Sequence, residues 1–233
     1  MAEPFSSFVE SNDMTVVIGL IASEHLIFAS DGFAIYQDRE DGPTLKMETY
    51  NKVRYVGNRN FLLGSAGSHL IEFEICHSLS STASAELSER DFLEEFSAQV
   101  KRLNQNEEGK HTSFLMGYFS NQEPRLYLFP SDGDFSAQRG IAALGSGADQ
   151  AIAYLTSNYD ERWRLQEAVD QIIRAIFEAS KIPTVNALPM LSILSKEGAI
   201  DLSSLTVSMY NKFKDELRQT LVLAAINRKN GGA

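Results

Sequence analysis

Thr15 opens an apolar stretch, Thr15-Val16-Val17-Ile18-Gly19-Leu20-Ile21. An acid closes the next, His25-Leu26-Ile27-Phe28-Ala29-Ser30-Asp31, with Gly32 after it. A lysine enters the third, Asn51-Lys52-Val53-Arg54-Tyr55-Val56, and small residues end the fourth, Phe61-Leu62-Leu63-Gly64-Ser65-Ala66-Gly67. A threonine hydroxyl is a weak nucleophile that a nearby base must activate, and the residue's own free α-amine can be that base. Its pKa of about 8 leaves about 10% neutral at pH 7, against well under ~0.1% for a lysine near 10.4. A lysine cation alongside lowers the pKa of amine and hydroxyl alike. A carboxylate holds that lysine charged and oriented. A backbone N–H at a glycine turn stabilises the tetrahedral oxyanion, and losing such a donor costs ~10²–10³ in rate. Thr15, Asp31, Lys52 and the Gly64 amide supply these four parts. One condition applies. Fourteen residues precede Thr15, and an amide nitrogen is not a base.

Taken singly, each residue has an ordinary explanation. A β-branched threonine suits a strand start. Lys52 is a strand-edge charge that guards against aggregation. Asp31-Gly32 makes a turn, and Gly64 to Gly67 lets strand and helix approach closely. The chemical reading rests on their order and spacing.

These residues need strands to carry them. The pattern predicts strands over 15–22 and 25–31 joined at Ser23-Glu24, then 51–57 and 60–65 joined through Gly57-Asn58-Arg59-Asn60. Gln37 to Pro43 reads as a charged loop. From Ser68 the period turns helical, with Leu70, Ile71, Phe73, Ile75 and Leu79 mainly on one side. A second helix starts near Ser88, where Ser88-Glu89-Arg90-Asp91 has a capping arrangement. Strands are predicted at 112–119, 125–129 and near 135–144, and helices at 148–158 and 163–180. Residues 184–198 fit helix, loop or a mixture, and 204–211 with 216–224 fit a strand pair or one amphipathic helix. Strand runs separated by helix pairs argue against βαβ repetition. They favour an α+β, four-layer αββα sandwich of two antiparallel sheets with helices outside. Residues 1–14 read as a flexible lead or propeptide and 15–233 as one domain.

The stretch Thr15 to Gly67 resembles the catalytic β-type subunits of proteasomes, nearest to the peptidase ring of the bacterial two-component ATP-dependent protease. The likeness rests on Ala29-Ser30-Asp31-Gly32, Asn51-Lys52-Val53-Arg54, Gly64 through Gly67, and Gly145-Ser146-Gly147-Ala148, and extends over roughly Thr15 to Ile193. It implies the N-terminal nucleophile (Ntn) hydrolase fold. It places Thr15 on the nucleophile, Asp31 on the acid partnering the lysine, and Lys52 on the pKa-lowering cation. Gly64 falls on the oxyanion donor and Ser146 on an accessory serine. It further implies a ring or double ring of like subunits, a polypeptide substrate, an ATPase unfoldase as partner, and no cofactor. Two positions depart from the family. Lys181 stands at or beside an acid's place, where it would add repulsion to a site already holding a cation. Met14 precedes Thr15 where self-cleaving precursors carry glycine, and Met14-Thr15 also reads as a translation start. A threonine peptidase is therefore the first expectation, a chemically silent ring scaffold the second, and an amidase acting on small amides the third.

Composition bounds the rest. The 233 residues are 43% hydrophobic and 22% charged, with a formal net charge of -10. That charge disfavours nucleic acid and anionic membranes. No stretch reaches the ~18 apolar residues of a membrane span, and residues 1–7 lack a secretory signal's basic and apolar regions. The single cysteine, Cys76, forms no internal disulfide and reads as a packed thiol, which suits the cytoplasm. His25, His69, His77 and His111 show no zinc spacing. Gly145-Ser146-Gly147 lacks the lysine of a phosphate loop.

Overall fold

Strands β1 (Val17–Ala22) and β2 (His25–Asp31) form a hairpin that turns at Ser23, in the left-handed region at φ 52. Both are buried almost throughout, as strands covered on both faces must be. This computed structural model describes residues 15–38, 44–57, 60–82, 88–106, 111–182, 185 and 187–200. The order continues β3 (Phe33–Asp38), β4 (Thr44–Thr49), β5 (Val53–Val56), β6 (Phe61–Ala66), α1 (His69–Thr82) and α2 (Glu89–Asn106). Then come β7 (Ser113–Ser120), β8 (Glu123–Phe129), β9 (Ser136–Ala137), β10 (Ile141–Leu144), α3 (Ala148–Asn158), α4 (Leu165–Ala179), β11 (Pro189–Ser195) and β12 (Gly198–Ile200).

Two five-stranded sheets result, β10-β1-β2-β11-β12 and β5-β6-β7-β8-β9, with β3-β4 a separate pair. Every pairing is antiparallel. Val17, Leu26 and Phe28 of the first sheet meet Leu62, Leu115 and Leu126 of the second in one core. The outer face of the second sheet packs Leu63 and Phe114 against Ile71 and Ile75 of α1 and Phe96 and Val100 of α2. Helices α3 and α4 lie against β1, β2 and β10 and bury Leu155, Ile172, Ile173 and Ile176. The layers are helices, sheet, sheet, helices: the α+β sandwich that the element order predicts.

Small residues set how closely the sheets approach. The Phe28 ring is fully buried beside Gly19, its pairing partner. A Cβ on Gly117, across the gap, would come within 2.7 Å of that ring, and one on Gly64 within 2.5 Å of Val17 Cγ1. Gly117 thus makes room for the Phe28 ring and Gly64 for Val17, and burial of the ring contributes about 2–3 kcal/mol. A second tie joins the sheets. The Tyr55 hydroxyl accepts from the Ile193 N–H at 2.9 Å and donates to the Ile193 carbonyl at 3.0 Å, linking β5 to β11.

The cap predicted for the second helix is present, since Ser88 Oγ accepts from the Asp91 N–H at 3.2 Å. Four readings need correction. Gln37 and Asp38 end strand β3, and Thr44 begins β4, so only 39–43 are left of the proposed loop, outside the described residues. The strand near 135–144 is two strands in different sheets, parted at Gly140 with φ 88. Residues 189–195, within the ambiguous 184–198, form strand β11, whose alternation is hidden because consecutive residues on both of its faces are buried. On α1, Leu70 and Phe73 are 60% and 73% exposed, while the 71-75-79 spacing faces the core. Residues 1–14 and the tail elements read at 204–211 and 216–224 lie outside the described residues.

Candidate active site

Asp31 ends β2 with its side chain beneath the residues that precede β1. One oxygen, Oδ1, gathers three donors: Lys52 Nζ at 2.7 Å, the Val16 N–H at 2.8 Å and the Thr15 hydroxyl at 3.2 Å. Thr15, Asp31 and Lys52 are 7%, 1% and 6% exposed. A buried ion pair is tolerated when further hydrogen bonds reach the charged groups, and the Val16 and Thr15 donors add two to the Asp31 oxygen that holds Lys52. The backbone adds a further bond, from the Asp31 N–H to the Val16 carbonyl at 3.2 Å.

Lys52 reaches Asp31 from the second sheet. Asn51 Oδ1 accepts from the Val53 N–H at 3.0 Å, an Asx turn that fixes the chain as it enters β5. The Lys52 carbonyl accepts from the Ser65 N–H at 3.1 Å. Burial pushes the Lys52 ammonium below its ordinary value, while the Asp31 and Glu72 carboxylates oppose the shift. A lysine so balanced is a cation held against its desolvation, able to influence a hydroxyl on the same carboxylate oxygen.

Ser146 approaches from the other side, in the turn between β10 and α3. The Thr15 N–H donates to Ser146 Oγ at 3.4 Å, and the Thr15 carbonyl accepts from Ser146 Oγ and the Gly147 N–H, each at 3.3 Å. Gly145 has φ 88, and a Cβ there would stand 2.3 Å from the Thr15 carbonyl oxygen. Glycine is required on both counts. Gly64 lies in β6 opposite Val53 and Leu115, where the sheet approach described above accounts for it. The structure thus brings Thr15, Asp31, Lys52 and Ser146 into direct contact. The Lys181 ammonium pairs with Glu178 of α4, and the Asp31 and Glu72 carboxylates both favour the charged form of Lys52.

A second buried cluster adjoins Lys52. Glu72 of α1, 5% exposed, accepts from the Tyr50 hydroxyl at 2.9 Å and Arg54 Nε at 3.1 Å, and its Oε2 lies 3.3 Å from His69 Nδ1. Sequence reading passed over these residues. The available signal was an acid within the buried face Ile71-Glu72-Ile75 and the alternation Tyr50, Lys52, Arg54. Glu72 is held below its ordinary value by His69, Arg54 and Tyr50 against the opposing effect of burial. Among the described residues, no group of His, Cys, Asp and Glu could hold a metal, and no helix is long and apolar enough to cross a membrane.

A threonine, an acid and a lysine converging between two antiparallel sheets, with helices outside, define an α+β sandwich of the Ntn-hydrolase kind. The family model described as proteasome subunit matches residues 13–187, and the chain belongs to that family. It is 34% identical over 91 residues to proteasome subunit beta 1 of Thermococcus gammatolerans, a match spanning 38% of this chain and 44% of that relative's length. A Gly-1 mutant of Anbu from Hyphomicrobium sp. strain MC1 shares the fold. Its TM-score is 0.64 at 18% identity, over 89% of this chain and 97% of that one.

Proposed function

We propose that this chain is a threonine-type peptidase subunit whose nucleophile is the Thr15 hydroxyl. The observation that carries the reading is the shared oxygen: Asp31 Oδ1 holds both Lys52 Nζ and Thr15 Oγ1. Removal of residues 1–14 converts the Thr15 amide into an amine beside its own hydroxyl. The amine takes the hydroxyl proton as Oγ1 attacks a peptide carbonyl. The tetrahedral oxyanion collapses to an acyl ester on Thr15 and expels the leaving amine, which takes that proton. Water then attacks the ester and regenerates the hydroxyl. Lys52 lowers the pKa of the nucleophile, Asp31 orients Lys52, Ser146 holds the Thr15 backbone, and the Gly64 N–H is the oxyanion donor. Membership of the family supports self-association into a ring or double ring; a polypeptide substrate, an ATPase unfoldase as partner and a cytoplasmic setting complete the proposed reading. The test is the intact mass of protein from its native source, with incubation of that protein with a peptide epoxyketone. Loss of residues 1–14 and an adduct on Thr15 are expected. An intact Met1 with Thr15 unlabelled overturns the reading.

A silent scaffold subunit is the second reading. It is favoured by the fourteen residues ahead of Thr15, which keep its nitrogen an amide while they remain. Under that reading Thr15→Ala changes neither assembly nor peptidase activity.

A further inference from the structure

A carboxylate on the buried side of α1 is expensive unless its lone pairs are filled. Those of Glu72 are filled from a particular place. Tyr50 stands two residues before Lys52 and Arg54 two residues after, and both bond Glu72, at 2.9 Å and 3.1 Å. The Tyr50 N–H also donates to the Gly32 carbonyl at 2.9 Å, on the residue following Asp31. The cluster therefore grips both partners of the buried ion pair: the chain on either side of Lys52, and the turn that carries Asp31. The Arg54 guanidinium additionally lies 4.8 Å from the centre of the Tyr50 ring, and His69 meets the same ring edge-on at 4.3 Å.

We propose that Glu72 is a positioning residue for Lys52. Its carboxylate clamps Tyr50 and Arg54 so that the flexible lysine chain between them delivers its ammonium to Asp31 Oδ1. This rests on the role given to Lys52 in the proposed peptidase site and adds to it a residue that touches no reacting atom. Lys52 faces Asp31 from β2, whose Oδ1 also accepts from the Thr15 hydroxyl, and it feels the Glu72 charge from α1. Glu72 itself faces Tyr50, Arg54 and His69, and its charge raises the Cys76 thiol further above its ordinary value, beyond the effect of burial. Loss of the clamp leaves the ammonium buried, frees it from Asp31 and removes one of two opposing carboxylates. Each change disfavours the charged form.

The experiment is an NMR titration of the Lys52 13Cε signal in the full chain, assigned with Lys52→Arg. It compares wild type, Glu72→Gln and Tyr50→Phe with Glu89→Gln. Glu89 supplies the control because it ties Tyr118, Tyr127 and Ser120 together at a separate place. Glu72→Gln lowers the Lys52 midpoint by about half a pH unit or more, and Tyr50→Phe lowers it by less. Glu89→Gln lowers the melting temperature and leaves the midpoint in place. In processed protein, Glu72→Gln also slows maximal epoxyketone labelling of Thr15 about tenfold with the half-saturating concentration unchanged. Because Glu72→Gln also removes a charge that acts on Lys52, Tyr50→Phe decides: a Lys52 midpoint unmoved in Tyr50→Phe, which keeps the Glu72 charge and breaks the clamp, overturns the proposal, as does an unmoved midpoint in Glu72→Gln. If Glu72→Gln fails to fold, an unmoved midpoint in Tyr50→Phe overturns it. If wild-type Thr15 never labels, the peptidase reading falls, and the titration still decides whether Glu72 places Lys52.

Discussion

Lys52 Nζ lies 2.7 Å from Asp31 Oδ1 and joins the end of β2 in one sheet to the entry of β5 in the other. This buried pair is the hinge of the site, because each member loses water and keeps only the partners the fold provides.

Breaking it from one side is costly. Asp31→Asn leaves a buried ammonium without its counter-charge and lowers unfolding free energy by about 3–5 kcal/mol. In the double variant Asp31→Asn with Lys52→Met, neither charge remains. Its loss is smaller than the sum of the two single losses, with a coupling of about 0.5–3 kcal/mol. Urea denaturation of the four proteins measures this, and additive losses contradict it.

The acid side of the stability curve belongs in part to Glu72, whose carboxyl is held below its ordinary value of 4.5. Above that value the folded and unfolded carboxyls are both ionised and the contribution is complete. As the pH falls further the unfolded chain takes up its proton first, so stability declines until the folded carboxyl is protonated too. Melting temperature therefore drops with acidification below about pH 4.5. Glu72→Gln, already destabilised at neutral pH, shows a shallower drop. Parallel curves for the two proteins refute the assignment.

Overpacking tests the sheet gap. Gly117→Ala sets a methyl 2.7 Å from the Phe28 ring and destabilises by about 1–3 kcal/mol. Adding Phe28→Leu recovers part of that loss in thermal denaturation, because the smaller side chain vacates the contested space. Absence of any recovery sinks the steric account.

Gly145 tests the turn that holds Thr15. Gly145→Ala combines a left-handed φ of 88 with a methyl 2.3 Å from the Thr15 carbonyl, and displaces the Thr15 backbone. Labelling of processed protein by an epoxyketone slows by about 10²-fold, the order expected for misplacement by an ångström. Unchanged labelling contradicts the placement of Thr15 by this turn.

The sequence made some of this visible and hid the rest for physical reasons. β1, β2 and the α3–α4 pair were readable because long apolar runs and helical spacing survive without context. The residues that meet at Asp31 were readable because four signals fell in order, although no single one is decisive. β11 was not, since a strand buried on both faces loses the alternation that announces a strand. β3 was not, because Gln37 and Asp38 at its end have turn-like composition. Glu72 escaped because an acid on a helix reads as a solvated charge. Its burial depends on Tyr50 and Arg54, which a chain reversal brings back to it.

The single hydroxyl that Tyr55 places between the Ile193 N–H and carbonyl acts as a latch against shear. Slippage of one layer past the other by a residue, about 3.3 Å, breaks both of its bonds and pulls the ammonium from its acid in the same movement. Exposure of that salt bridge to solvent is therefore tied to loosening of the whole sandwich, and slow exchange of the Ile193 amide reports how seldom it happens.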